Sequence, residues 1–218
     1  MSFSIHTFFR FVSSYFRKRR MSRFLRTFNP NSATTILDVG GYPETWKRLR
    51  IQSLITVLNV HRIDYTADAL DPPIRTMVGN GCHLEFPDRS FDIVFSNSVI
   101  EHLGTFERQE VFARECRRTG RHLWVQTPAK SFFIEPHLLT PFIHFLPRGA
   151  QGKLIRHFSV WGLVTRPSAA QVQAFLSEVR LLSRREMEAL FPDCDIIAEK
   201  VAGLSKSYIA VRRGTPDA

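Results

Sequence analysis

The stretch TTILDVGGYPETW, residues 34–46, decides the fold, because a short apolar run ends there in two glycines. The pattern predicts a buried strand, a tight turn and then a helix that begins near Pro43 and carries Trp46. In open α/β sheets, ligands bind beyond the carboxyl ends of the strands, and glycines let a ligand approach the backbone. Asp38 lies two residues before Gly40, so we expect its carboxylate at the mouth of this crevice, where it suits a cationic ligand.

A second stretch, GNGCHLEFPDRSFDIVFSNSVIEHL over residues 79–103, is more specific. With the turn after Asp38, it resembles the class I S-adenosylmethionine-dependent methyltransferases of the type 11 group. Their pattern has an apolar strand, Asp-x-Gly-x-Gly, then Gly-Asp-Gly or Gly-Asp-Ala before Leu-Pro-Phe-Pro-Asp-x-Ser-Phe-Asp-x-Val and a Glu-His pair. Gly41 fills the variable position of the first motif, and Tyr42 stands where its last glycine is expected.

The resemblance implies S-adenosyl-L-methionine as the cofactor. Asn80 would accept a hydrogen bond from the adenine amino group, while the backbone N–H of Gly81 or Cys82 meets a ring nitrogen. His61 occupies the position of the acid that usually holds the ribose, so His61 itself or Asp64 from the following loop is expected to do so. The predicted cofactor-binding residues, including two that would line the methionine part, are Asp38, Gly40, Gly41, His61, Asn80, Gly81, Cys82, Ser96 and Asn97.

Further apolar runs predict the rest of the sheet. Parallel strands are expected over 54–60, 74–78, 91–95 and 121–127, and a terminal antiparallel hairpin over 195–201 and 206–212. Thr105, Ser168 and Ser183 are predicted helix N-caps. The expected fold class is α/β: a Rossmann-like seven-stranded sheet, mostly parallel with a C-terminal antiparallel hairpin, and helices on both faces.

The implied reaction is an in-line displacement at the sulfonium methyl group by an oxygen, nitrogen or carbon nucleophile. The positive sulfur already activates the methyl group, so alignment can supply much of the rate and a dedicated base is optional. If a catalytic base exists, His102 and His137 are the candidates. The alternative is that both histidines serve only in packing or capping.

An insert over about 128–163 is rich in aromatic residues and prolines, and it fits neither a helix nor a strand. It lies where methyltransferases of this class carry substrate-covering elements. A lid with Glu135, His137 and His144 would form a mostly apolar pocket, which favours a small-molecule or lipid-linked acceptor. A structural cap is the alternative. The spacing of these three residues matches no compact ligand motif, so no metal site is predicted.

Charge is concentrated at the N-terminus: the chain of 218 residues has a formal charge of +10, and its first thirty residues hold seven basic residues and no acid. We therefore divide it into a basic amphipathic arm, 1–30, and a methyltransferase domain, 31–218. In the preferred interpretation Phe24, Leu25 and Phe28 pack under the core. In the alternatives, residues 1–28 contact an anionic membrane surface or nucleic acid.

Three cysteines without a CxxC pair suggest neither a disulfide framework nor a zinc site, and no apolar run approaches the length of a membrane span. The sequence thus predicts a cytoplasmic protein, with peripheral membrane contact left open. Three other functions also stay open. They are a non-catalytic binding protein on a methyltransferase fold, an RNA methyltransferase and a nicotinamide-dependent oxidoreductase, although the last lacks its Gly-x-Gly-x-x-Gly spacing.

Overall fold

The computed structural model describes residues 5–47, 49, 51–66 and 73–214, with side chains from Tyr15 onwards. Its strands are β1 (Thr35–Val39), β2 (Leu54–Asn59), β3 (Ile74–Val78), β4 (Phe91–Asn97), β5 (Gly120–Pro128), β6 (Ile134–Glu135), β7 (Thr140–Pro141), β8 (Asp195–Val201) and β9 (Leu204–Arg212). Seven of them form one sheet in the order β3-β2-β1-β4-β5-β9-β8. The first five are parallel, whereas β9 is antiparallel to both β5 and β8. The predicted fold class is confirmed.

Helices cover both faces of this sheet. They are α1 (Ile5–Phe28), α2 (Phe106–Thr119), α3 (Arg148–Phe158), α4 (Val160–Thr165), α5 (Ala169–Glu178) and α6 (Arg184–Leu190). The three predicted N-caps are confirmed, because Thr105, Ser168 and Ser183 each accept a hydrogen bond from a backbone N–H in the first turn of their helix. Within the described residues, no helix has the length and apolar character needed to cross a membrane.

Phe24 of α1 is fully buried and is central to one face of the sheet. Its ring lies 5.8 Å from that of Trp46, 5.2 Å from that of Phe95 and 5.6 Å from that of Trp124, between ring centres. Leu25 and Phe28 are partly buried in the same cluster. The interpretation that the end of the arm packs under the core is therefore confirmed. The opposite face is covered by α2 and α6.

The prediction of a helix that begins near Pro43 is wrong, because the described chain forms only a 3₁₀ turn there, Pro43–Thr45. Trp46 turns into the core instead, where it is fully buried. Residues 48 and 50 lie outside the described residues. Residues 67–72, which belong to the connection between β2 and β3, lie outside them too.

The insert is more regular than its sequence suggested. It contains the β6–β7 hairpin, a 3₁₀ turn at Ile143–Phe145, and the helices α3 and α4. Gly149 and Gly152 lie within α3 and weaken its helical signal in the sequence. The insert and α5 share a small core of buried residues: Leu138, Ile143, Ile155, Val172 and Leu176.

Candidate active site

The glycine turn after β1 forms the centre of the site. Gly40 has a φ of +79°, and a Cβ there would lie 2.7 Å from a methyl group of Val99. Only glycine adopts this conformation without strain, and only glycine fits this space. The turn therefore packs directly against the segment that follows β4.

Asp38 is fully buried beneath this turn rather than at the mouth of the crevice, so its predicted orientation is wrong. The indole N–H of Trp46 donates to Oδ2 at 2.7 Å, whereas Oδ1 has no partner among the described residues. A Cβ on Gly41 would lie only 1.9 Å from Oδ2, so the carboxyl group fills the space under that glycine. Burial raises the pKa of Asp38 to about 7, although the Trp46 hydrogen bond opposes the shift.

Asn59, which the sequence analysis missed, supports the same turn from the end of β2. Its amide donates to the Gly41 carbonyl at 3.1 Å and its own oxygen accepts the His61 backbone N–H at 3.4 Å. The side chains of His61 and Asp64 are exposed in the following loop. Ribose binding by His61 stays a prediction. The signal for Asn59 was a polar residue next to the end of the apolar run over 54–60.

The predicted adenine site lies in the loop after β3. The side-chain oxygen of Asn80 accepts the Cys82 backbone N–H at 2.9 Å, so that N–H is not free for an adenine nitrogen in this arrangement. Gly81 lies against the core, because a Cβ there would be 2.7 Å from the Phe112 ring and 2.9 Å from Val39. Adenine binding by Asn80, Gly81 and Cys82 stays a prediction.

Ser96 and Asn97 lie at the carboxyl end of β4 as expected, but both side chains are engaged elsewhere. The Ser96 hydroxyl is buried and donates to the Val39 carbonyl at 2.9 Å. The Asn97 oxygen accepts a hydrogen bond from Arg20 of α1 at 2.5 Å. The expectation that the backbone and side chains of Ser96 and Asn97 line the methionine part of the cofactor stays a prediction.

Arg20, a second residue that the sequence analysis missed, is a buried cation at this edge of the sheet. It donates to Gln126 of β5 at 2.8 Å and pairs with Glu199 of β8 at 2.5 Å. Nothing in the sequence distinguished it from the other basic residues of the arm. Its burial together with Phe24 fixes α1 beside the ends of β4 and β5.

The two candidate catalytic histidines come together although they lie on opposite sides of β5 in the sequence. Their ring centres are 4.8 Å apart, with His102 in the 3₁₀ turn after β4 and His137 in the β6–β7 loop. The side chain of His102 reaches solvent and that of His137 is partly buried. His144, the other histidine of the predicted lid, forms a hydrogen bond with the Lys130 carbonyl and is not part of this pair.

Two carboxyl groups flank the histidine pair. Glu101 is fully buried, accepts the Thr127 hydroxyl on Oε2 at 2.9 Å, and has no described partner on Oε1. Glu135 is buried too; it bonds to Nδ1 of His137 at 2.7 Å and accepts the Leu138 backbone N–H at 2.5 Å. Glu101, His102 and His137 offer ligating atoms within 4.8 Å of one another.

Burial and charge set the protonation of this cluster. Burial raises the pKa of Glu101 to about 7. Desolvation and the neighbouring His137 lower the pKa of His102, so its ring is neutral and has a free lone pair at neutral pH. Burial alone would lower the pKa of His137, but Glu135 and Glu101 raise it above its usual value. The cluster can therefore accept a proton or bind a cation.

Comparisons with known proteins agree with this geometry. Residues 44–122 match the family model described as a methyltransferase domain. Over these residues the chain is similar to methyltransferase domains. No curated protein sequence matches this chain.

Solved structures show the same fold at low identity. The methyltransferase domain of bacterial CtHen1 aligns with 15% identity and a TM-score of 0.54, covering 89% of this chain and 97% of its own. Magnesium protoporphyrin IX methyltransferase from Synechocystis, with S-adenosylhomocysteine bound, aligns with 10% identity and a TM-score of 0.52, covering 90% and 83%. A structure from Rhodobacter sphaeroides described as a putative zinc-dependent alcohol dehydrogenase aligns with 15% identity and a TM-score of 0.54, covering 90% of both chains. At these identities the likeness concerns the fold alone.

Proposed function

We propose that this methyltransferase transfers the methyl group of S-adenosylmethionine to a lipid-linked acceptor held beside His102 and His137. The observation that carries the proposal is the contact of Gly40 with Val99, which joins the glycine turn of β1 to the segment bearing His102, whose ring lies 4.8 Å from that of His137. A cofactor bound over the turn would thus have its methyl group directed towards the pair. The acceptor atom would displace sulfur in line, and its alignment would supply much of the rate.

The surface of the insert supports a lipid-linked acceptor. Six of the twelve exposed large apolar side chains on the described part of the chain lie within residues 142–164: Phe142, Phe145, Leu146, Phe158, Leu163 and Val164. Residues 136–177 contain no acid, whereas Arg148, Lys153, Arg156 and Arg166 are exposed there. Apolar side chains mixed with cations suit an anionic membrane surface.

The arm offers a second basic surface on the same molecule. Arg17, Lys18 and Arg19 of α1 are exposed, in contrast to the buried Arg20. We include them in the proposed membrane contact as a purely electrostatic contribution. Such a contribution should weaken steeply with salt, while the contribution of the insert's apolar side chains should not.

Cofactor binding is tested by calorimetric titration with S-adenosylmethionine, S-adenosylhomocysteine and, separately, NADPH. We expect saturable binding of the two adenosyl ligands at one site and none of NADPH. Asn80→Ala should weaken binding about tenfold through loss of an adenine hydrogen bond, whereas His83→Ala, an exposed residue of the same loop, should not. A folded protein that binds neither adenosyl ligand would be a non-catalytic scaffold, and binding of NADPH alone would favour the oxidoreductase.

Membrane contact is tested by sedimentation with vesicles of phosphatidylcholine alone or mixed with phosphatidylglycerol. We expect binding to the anionic vesicles, weakened about tenfold in the double variant Phe158→Ser and Leu163→Ser. The matched control is Val60→Ser with Val78→Ser, because these side chains are both 61% exposed and lie outside the insert, directly after β2 and at the end of β3. Equal loss in both double variants, or no preference for anionic vesicles, would contradict the proposed acceptor class.

A further inference from the structure

The side chains around the histidine pair have the composition of a metal site. Glu101, His102 and His137 offer one ligating atom each, all within 4.8 Å of one another. In a tetrahedral site with ligands about 2.1 Å from the ion, neighbouring ligand atoms lie about 3.4 Å apart. Movements of the ligand atoms by about an ångström, through side-chain rotation, would therefore bring these three residues into tetrahedral coordination of one ion. The sequence spacing did not reveal them because the ligands come from segments before and after β5.

Glu101 supplies an independent indication that a ligand is missing from this cluster. The residue is fully buried, one carboxylate oxygen is held by Thr127, and Oε1 has no partner among the described residues. A buried carboxylate oxygen without a partner is costly. A cation bound to Oε1 would remove that cost.

His137 has the outer partner that metal-binding histidines usually have. Glu135 holds its Nδ1 at 2.7 Å, and the second oxygen of Glu135 is fixed by the Leu138 backbone. A carboxylate in this position orients the ring and directs the Nε2 lone pair towards the metal. The carboxyl groups of Glu101 and Glu135 would together balance the two positive charges of the ion.

We propose that Glu101, His102 and His137 bind a divalent transition metal ion, with zinc as the best match to two imidazoles and one carboxylate. The solvent contact of His102 leaves a coordination position open to an acceptor oxygen. There the ion would lower the pKa of an acceptor hydroxyl, whose proton leaves to water. The oxygen then forms the bond to the methyl carbon, and the cofactor sulfur keeps the electron pair of the broken bond. This use of the metal rests on the proposed function, whereas metal binding does not.

Metal binding is tested on the full chain, without an affinity tag and after treatment with EDTA. Zinc is titrated against a chromophoric chelator, and Co²⁺ is followed by its visible absorption. We expect one ion per chain with a Kd of about 1 µM or tighter. His102→Ala should weaken binding at least about 100-fold and Glu101→Gln by a similar factor. His144→Ala is the matched control, since this histidine lies in the same insert as His137 but outside the cluster.

The outcomes separate the metal from the methyl transfer, because the titration contains neither cofactor nor acceptor. His102 is exposed, so its variant should fold even if Glu101→Gln does not; circular dichroism checks both. No stoichiometric binding, equal affinity in His102→Ala and wild type, or a thiolate-to-cobalt charge-transfer band that marks a cysteine site would each overturn the proposal. A normal metal titration with no methyl transfer would leave it standing and remove only the proposed function.

Discussion

Two buried carboxyl groups at the same edge of the sheet are alike in most respects. Asp38 at the end of β1 and Glu101 after β4 are both fully buried. Each accepts one hydrogen bond, from Trp46 and Thr127 respectively, and each keeps one oxygen without a partner among the described residues. Burial raises the pKa of both groups to about 7.

The two groups differ in their neighbours. The carboxyl group of Asp38 lies under the Gly41 backbone, and among the described residues it belongs to no cluster of ligating side chains. Glu101 lies beside His102 and His137, which offer two further lone pairs. A proton is therefore the simplest partner for Asp38, and a metal ion the simplest one for Glu101. Burial makes a carboxylate need a partner, and the adjacent side chains determine which partner it takes.

The largest effect that we expect from the difference between Asp38 and Glu101 is on the pH dependence of stability. Asp38 has the ordinary aspartate pKa of 3.8 in the unfolded chain, whereas in the folded chain it holds its proton up to about pH 7. The folded state therefore binds more protons between these values, and stability present at low pH is lost as the pH rises towards 7. We expect Asp38 to remove about 3 kcal/mol between about pH 5 and pH 8, at about 1.4 kcal/mol per pKa unit.

Urea unfolding across this pH range, with EDTA present, measures the effect. Asp38→Asn keeps an oxygen to accept the Trp46 hydrogen bond but does not titrate, so it should lack this loss of stability. If unfolding free energy changed equally with pH in wild type and variant, Asp38 would not be the group that stays protonated in the folded state.

A second test removes the partner of Asp38 rather than its charge. Trp46→Phe keeps most of the ring packing but deletes the indole N–H, so we expect a loss of about 2 kcal/mol in unfolding free energy. Trp124→Phe is the matched control, because Trp124 is equally buried and its N–H has no described partner. Its loss should be about 1 kcal/mol or less. Equal losses by urea denaturation would mean that packing alone, and not the hydrogen bond, holds Asp38.

A smaller effect is expected at the cluster that contains Glu101, where Glu135 is the outer partner of His137. Glu135→Gln keeps an acceptor for the Leu138 N–H but weakens the orientation of the imidazole, so zinc affinity should fall about tenfold. The chelator competition assay measures it. Glu110→Gln, on the exposed surface of α2, is the control for loss of one negative charge. An unchanged affinity in Glu135→Gln would remove the outer-partner role from Glu135.

The smallest expected effect concerns the prediction that His61, near the glycine turn above Asp38, binds the ribose of the cofactor. Polar groups there are tied to the turn, as Asn59 is to Gly41, and His61 is exposed. A solvent-exposed hydrogen bond contributes little, so His61→Ala should weaken binding of S-adenosylhomocysteine by no more than about threefold. A loss of tenfold or more in the calorimetric Kd would instead confirm the sequence-based assignment.

The sequence predicted the fold well because the fold depends on short-range patterns. Apolar runs and N-caps such as Thr105 and Ser183 are local, and they specified five parallel strands, the terminal hairpin and the order of the main helices. The pattern failed where tertiary packing overrides local preference. Pro43 suggested a helix start, but the described chain forms a 3₁₀ turn there, and Trp46 packs against Phe24 in the core.

The site was predicted less completely, because its contacts join distant segments. His102 was named from the Glu-His pair and His137 from the predicted lid, yet no spacing rule places their ring centres 4.8 Å apart. Glu101 was visible only as half of a Glu-His pair. Side-chain direction also escapes a motif, and Ser96 has the predicted position but points to the Val39 carbonyl.

The Arg20–Glu199 pair joins positions separated by 179 residues. A ribosome makes α1 before every strand of the sheet, so Arg20 cannot find this partner until β8 has been synthesised. Contacts of such long range are slow to form, because the chain between them must first be ordered. Although α1 is synthesised before the sheet, it is thus among the last parts of this fold to be fixed, and the edge of the sheet that carries the proposed site becomes complete only then.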